Sequence, residues 1–259
     1  MNILDKLIDA HIHLDQYSDD EITEIFKDVP FQLSVISVSY DLNSCKRNLA
    51  LSKKYSNVKP AYGFHPEQEL PKDQELSALF SWLDDHQEDM AGVGEVGLPY
   101  YLRRKHAGSF KMEGYIELLE EFIKLAKKWN KPLALHAVYE DAPVVCRLLE
   151  KHSIQKAHFH WFKGDPGTVR RLISNGYYIS FTPDIVYEKE IQDLARSYPI
   201  DRMMAETDGP WPFEGPFKGQ LTHPAMIFES IRTLAHLKKK PLEDVHRQLY
   251  QNTKSFYYN

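Results

Sequence analysis

With 259 residues, 42% of them hydrophobic, and no low-complexity tract, the chain can bury a large core, and one domain over residues 1–259 is expected. A net charge of −5 speaks against a general nucleic-acid coat protein but leaves room for an enzyme with a local phosphate-binding cleft. Cys45 and Cys146 are too few and too far apart for a disulfide framework; with no C-x-x-C pair, no basic leader and no run of about 18 apolar residues, a cytoplasmic chain with neither a membrane nor an obligate protein partner is expected.

The apolar run Ile3 to Ile8 reads as a short buried strand that ends in Asp9-Ala10-His11-Ile12-His13. On an extended backbone residues two apart point to the same side, so His11 and His13 converge on one point and form a metal pincer. Asp19 to Lys27 follows as a helix, with acidic residues at its start and Ile22, Ile25 and Phe26 at helical spacing; Leu33 to Val38 is the second strand. The alternation continues with a helix over Asp41–Tyr55, a strand over Lys59–Phe64, a helix over Asp73–His86 and a strand over Met90–Glu95. A long connection from Gly97 to Phe110 leads to a strongly amphipathic helix over Met112–Trp129 and a fifth strand over Pro132–His136. A helix over Ala142–His152, a strand over Lys156–His160, a helix over Pro166–Asn175 stopped by Gly176, and a strand over Tyr177–Phe181 come next. Ile185–Tyr198 reads as helix, Arg202–Glu206 as the eighth strand, and Pro224–Leu237 and Leu242–Tyr257 as two closing helices.

Eight short strands separated by helical patterns match an α/β fold of the (β/α)8 TIM-barrel type better than an open sheet. In such a barrel the C-terminal strand ends meet at one face, where active sites lie. His11 and His13 end strand 1, Glu95 strand 4, His136 strand 5 and His160 strand 6, and Asp208 follows strand 8. Four imidazoles and two carboxylates can hold two divalent cations if one carboxylate bridges them, and Glu95 is the candidate bridge. One ion takes His11, His13, Glu95 and Asp208; the other takes Glu95, His136 and His160. Asp208 also suits a general base that receives the proton of an attacking water.

Six motifs in order resemble the TatD family of metal-dependent hydrolases, within the amidohydrolase superfamily. They are Asp9-Ala10-His11-Ile12-His13-Leu14-Asp15, Gly63-Phe64-His65-Pro66, Gly94-Glu95-Val96-Gly97-Leu98, Leu135-His136, Phe159-His160-Trp161-Phe162-Lys163-Gly164 and Glu206-Thr207-Asp208-Gly209-Pro210. Gln251-Asn252-Thr253-Lys254-Ser255-Phe256 resembles the family's closing helix. The resemblance implies a barrel with one or two divalent metals, the ligand set assembled above, and phosphodiester hydrolysis, commonly as a magnesium-dependent deoxyribonuclease. DNA or a small phosphate ester is then the expected substrate.

Three positions depart from that family pattern: Pro99 stands for its Asp, Val138 for an Arg, and Gly209 for an Ala. Val138 cannot make an arginine's bidentate phosphate contacts, and the candidates to compensate are Lys163, His65 and the Arg103-Arg104-Lys105 run. His65 and Lys163 are therefore the expected substrate-binding residues. Asp9 and Asp15 are expected to orient histidines or cap turns, His158 to lie in the core or behind the ligands, and His223 to be structural. The stretch from Leu98 to His106 reads first as a solvated charge run anchored by two tyrosines, and alternatively as a loop that stacks a base and holds a phosphate. Trp161, Phe162 and Trp211 wall the pocket.

Hydrolysis of an amide, lactone or carboxylic ester is the alternative within the superfamily, because fold does not choose the electrophile. A non-catalytic metal-binding interaction protein is the alternative of another class, and Asp208 argues against it because a structural site needs no base. The metals are left as magnesium, manganese or zinc.

Overall fold

The computed structural model describes residues 5–27, 29–106 and 110–258. Ile3 and Leu4 of the first expected strand, and residues 107–109 of the long connection, lie outside the described residues. Among the described residues, eight parallel strands pair in sequence order: β1 (Lys6–Ile12), β2 (Gln32–Ser37), β3 (Val58–Tyr62), β4 (Gly92–Gly97), β5 (Leu133–His136), β6 (Ala157–Phe159), β7 (Tyr178–Phe181) and β8 (Met203–Ala205). The order makes the expected TIM barrel. Its seam between β8 and β1 is drawn together by Asp208 N–H donating to the His11 carbonyl (2.9 Å) and His13 N–H donating to the Gly209 carbonyl (2.8 Å).

Ten helices surround the strands among the described residues: α1 (Asp19–Phe26), α2 (Leu42–Lys54), α3 (Asp73–Asp85), α4 (Tyr100–Lys105), α5 (Glu113–Lys128), α6 (Ala142–Lys151), α7 (Pro166–Ser174), α8 (Lys189–Ser197), α9 (Ile227–Lys238) and α10 (Leu242–Tyr257). Their starts follow local chemistry. Ser18 and Glu21 form a reciprocal capping box at α1, and the Asp165 carboxylate accepts the Gly167 and Thr168 amides at α7, with Pro166 in the first turn. Along α5, Leu118, Leu119, Phe122, Ile123 and Ala126 make the stripe that packs on the sheet, as their spacing requires. Two expectations shift. The Gly97–Phe110 connection is not all loop, since it contains α4; and helix begins at Lys189 rather than Ile185, because Pro183–Val186 form a 3-10 turn in which Asp184 accepts the Trp161 indole N–H.

The side-chain alternation of the strands separates two apolar layers. Leu133, Leu135, Phe159, Ile179, Met203 and Ala205 face the helices. Ile8, Ala10, Ile36, Val38, Ala61, Ala134 and Met204 fill the barrel, with Phe256 and Tyr257 of α10 packed against them. Asn252 fixes α10 to the barrel by donating to the carbonyls of Ile200 and Met203 (2.7 Å each).

In β5 and β6 the alternation alone turns His136 and His160 inward, opposite Leu135 and Phe159. β1 and β4 need more. Their pairing registers shift between Asp9 and Ile12 and between Val93 and Val96. Ile8 and Ala10 belong to the inner layer while Ile12 belongs to the outer, so the inward parity changes and His11 and His13 face the axis. Val93 and Val96 both face outward, which leaves Glu95 pointing in.

Candidate metal centre

The six expected ligands converge at the C-terminal mouth of the barrel, all of them buried except the partly exposed Asp208. Glu95 lies at their centre, and its two oxygens serve two sides. Oε2 is 3.1 Å from both His11 Nε2 and His13 Nε2; Oε1 is 2.8 Å from His136 Nδ1 and 2.7 Å from His160 Nε2. Asp208 Oδ1 is 3.4 Å from His11 Nε2 and 3.5 Å from His13 Nε2. Four overlapping groups of donors have their atoms within 4.8 Å of one another: His11, His13 and Asp208; Glu95, His136 and His160; His13, His65 and Glu95; and His11, His160 and Glu206.

This donor set fits cations. Asp208 Oδ1 is buried without a hydrogen-bond partner, and a carboxylate oxygen left so is costly unless a positive charge compensates it. Burial pushes the Asp208 carboxyl up to about 7, against the pull of His160 and His13. Burial also acts on Glu95, but the imidazoles of His160, His65 and His11 outweigh it and hold its carboxyl well below the usual range. Asp208 sits at φ 50°, in the left-handed region that a non-glycine residue adopts only where its surroundings impose it.

Neighbouring residues brace this centre from below. Asp9, the expected orienting group, holds backbone: its carboxylate accepts the amides of His11 (3.2 Å) and Thr207 (3.0 Å) and the Thr207 hydroxyl (2.5 Å). Asp15 is partly buried near His13: burial pushes its carboxyl up, and the His13 imidazole pulls against that. His158 bridges Tyr257 Oη (2.8 Å) and Ser180 Oγ (2.7 Å), deep under His160. His223 accepts the Ala225 amide and so caps a turn.

Over the mouth lies a cavity of about 840 Å³. His65, Lys163, Tyr40, Tyr101, Trp161 and Trp211 are in its wall, and His65 Nε2 stands 3.4 Å from Glu95 Oε1. Burial pushes the His65 imidazole down to about 3, so it is neutral at pH 7. Lys163 Nζ sits 4.8 Å over the Trp161 ring. Of the basic run, only Lys105 lines the cavity: Arg103 pairs with Asp141 (2.6 Å), and Arg104 donates to the Tyr100 hydroxyl (2.6 Å). The run is thus a solvated face at the exposed Arg104, Lys105 and His106, as first expected, and it is carried on a short helix that roofs the site through buried Tyr100 and pocket-lining Tyr101.

Two carboxylates were missed by sequence reasoning. Glu67 Oε1 lies 3.0 Å from His136 Nε2, and Glu206 Oε1 lies 3.7 Å from His160 Nδ1 while accepting the Trp161 amide (2.7 Å). Glu206 stands two residues before Asp208 in a quoted motif, which was a usable signal. Glu67 had none beyond following His65-Pro66, among 37 acidic residues.

Residues 8–258 match the family model described as TatD related DNase. An uncharacterized metal-dependent hydrolase of Haemophilus influenzae is 41% identical over 97% of this chain and 99% of its own. The human protein named deoxyribonuclease TATDN3 is 28% identical, over 95% of this chain and 92% of its own. Among solved structures, the TatD homolog YjjV of Escherichia coli superposes with a TM-score of 0.85 at 26% identity, covering 99% of both chains.

Proposed function

The chain belongs to the TatD related DNase family of metal-dependent hydrolases, and from that premise we propose that it cleaves phosphodiester bonds in short or single-stranded DNA. The observation that carries this reading is the divided Glu95 carboxylate beside an Asp208 oxygen that has no hydrogen bond. His11, His13, Glu95 and Asp208 would hold one divalent cation, and Glu95, His136 and His160 a second. Bound there, the cations would supply Lewis acidity at the phosphoryl oxygens and would acidify a water. The imidazole-rich donor set suits zinc or manganese, and magnesium, with its preference for oxygen ligands, is the third metal to test.

The chain's own groups do the remaining work. Asp208 takes the proton of the attacking water from its place on the cavity wall beside His11 and His13. His65 and Lys163 hold the phosphate from the cavity wall, and Tyr40, Tyr101, Trp161 and Trp211 offer ring faces to bases. Among the described residues lining the cavity, Lys105 and Lys163 are the only lysines and no arginine is present. So sparse a cationic lining favours short or unpaired strands over tracking along duplex DNA. The name of the human relative supports the nuclease reading.

A second reading rests on Val138. It lies in the cavity wall, 4% exposed, where a phosphate-gripping arginine would be expected from the family resemblance. This favours a carboxylic ester, lactone or amide as the alternative substrate. The test is hydrolysis of a chromogenic phosphodiester and a labelled single-stranded oligonucleotide by metal-stripped protein resupplied with magnesium, manganese or zinc, with Glu95→Ala as control. Cleavage of the oligonucleotide by the wild type alone is expected. Metal uptake with neither substrate cleaved would overturn the nuclease reading in favour of the second.

A further inference from the structure

Glu67 follows β3 by five residues and reaches back over the mouth of the barrel. Its carboxylate does two things. Oε2 accepts the Leu102 amide (2.5 Å) and Oε1 the Tyr101 amide (2.9 Å), so it anchors the first turn of α4; and Oε1 lies 3.0 Å from His136 Nε2. The other ring nitrogen of His136 faces inward, 2.8 Å from Glu95 Oε1 and 3.1 Å from His160 Nε2. By contrast, the outer nitrogens of His11 and His13, both Nδ1, have no hydrogen-bond partner.

An imidazole offers a lone pair at one nitrogen only when its proton sits on the other, and a carboxylate at the outer nitrogen fixes that choice. We propose that Glu67 is a positioning residue that keeps the His136 proton on Nε2 and turns the Nδ1 lone pair toward Glu95, tying the α4 roof to the second cation position. This rests on the two-cation reading above. Replacing Glu67 with glutamine exchanges an acceptor for a donor on one side of the group. With its oxygen in the place of Oε2 the amide keeps the bond from Leu102, while its NH2 group, in the place of Oε1, gives up the Tyr101 bond, asks His136 Nε2 for a lone pair and drives the proton to Nδ1. The cation then loses a ligand while α4 keeps one of its two anchoring bonds.

The test is manganese titration of the full-length, metal-stripped protein, following free ion by electron paramagnetic resonance. The wild type takes up two equivalents. Glu67→Gln keeps one of them at wild-type affinity and weakens the other about 10–100-fold, the range for losing such an outer partner. In the double variant Glu67→Gln/His136→Ala the glutamine adds nothing to the loss caused by His136→Ala alone. If the glutamine variant does not fold, as read by circular dichroism, the same cycle is run with Glu67→Ala. Two equivalents bound with unchanged affinity, or losses that add in the double variant, would overturn the role of Glu67 and leave the metal reading intact. A wild type that takes up fewer than two equivalents would overturn the two-cation reading, and this inference with it.

Discussion

The hydroxyl of Tyr17 stands where a side chain on residue 209 would begin: a Cβ built on Gly209 collides with Tyr17 Oη and also meets Thr222 Cγ2 at 3.1 Å. Tyr17 is held there by its hydrogen bond to the Thr222 carbonyl (2.9 Å). The departure of Gly209 from the alanine of the family pattern thus has a steric cause, and it lies beside Asp208, whose backbone is in the left-handed region.

Gly209→Ala is accordingly expected to destabilise the protein by about 1–3 kcal/mol, the range for overpacking a closed site. For a chain of this size that lowers Tm by roughly 2–10 °C. Adding Tyr17→Phe, which frees the space of the hydroxyl, recovers part of the loss. Thermal melts of the single and double variants check this, and a Gly209→Ala protein as stable as the wild type would show that the Tyr17 ring can move aside.

Cation removal should be visible in stability as well as in turnover. Buried donors organised in the folded chain bind tightly there and weakly in the unfolded chain, so metal at 100 times its Kd adds about 2.7 kcal/mol. That corresponds to a Tm increase of about 5–10 °C over the chelated protein. Glu95→Ala, which removes the group facing both sides of the site, should abolish most of the increase. Melts with chelator and with added manganese measure both effects.

Acid stability has a separate, surface component. Glu150 receives two hydrogen bonds from Arg171 (2.7 and 2.5 Å) and one from Asn175 (2.8 Å), and the Arg171 contacts hold its carboxyl down at about 2. A depressed carboxyl contributes stability that is present above its unfolded pKa and lost as pH falls through the folded value. The window here runs from about pH 4.5 down to about 2. Glu150→Gln should lower Tm slightly above pH 4.5, by little because the pair is solvent-screened, and converge with the wild type near pH 2.

Substrate recognition can be separated from chemistry at the rim. Trp211 is 58% exposed, lines the cavity and meets Trp161 edge-on at 5.9 Å. Stacking of one base on an aromatic ring is worth about 1–3 kcal/mol. Trp211→Ala should therefore raise KM for an oligonucleotide about tenfold or more, while KM for a small chromogenic phosphodiester stays the same. Equal effects on both substrates would remove the stacking role.

The barrel was legible because short strands carrying apolar residues such as Leu33, Val35, Leu133 and Leu135 alternate with long helices that each carry an inward stripe. The convergence of His11, His13, Glu95, His136, His160 and Asp208 followed from their places at strand ends. What one chain could not disclose depends on partners distant in sequence. The register shifts that turn His11, His13 and Glu95 inward leave no mark in the alternation of residues. Helix α4 is six residues long, rich in charge, and fixed by Glu67 from another loop. Glu67 itself is one acidic residue among many until the fold brings it to His136.

The central claim, that Glu95 is shared by two cations, is tested most directly by anomalous diffraction from crystals of the manganese-loaded protein. The account predicts two peaks about 3.5–4 Å apart, one beside His11 and His13 and one beside His136 and His160, with Glu95 between them. A single peak, or peaks away from Glu95, would contradict it.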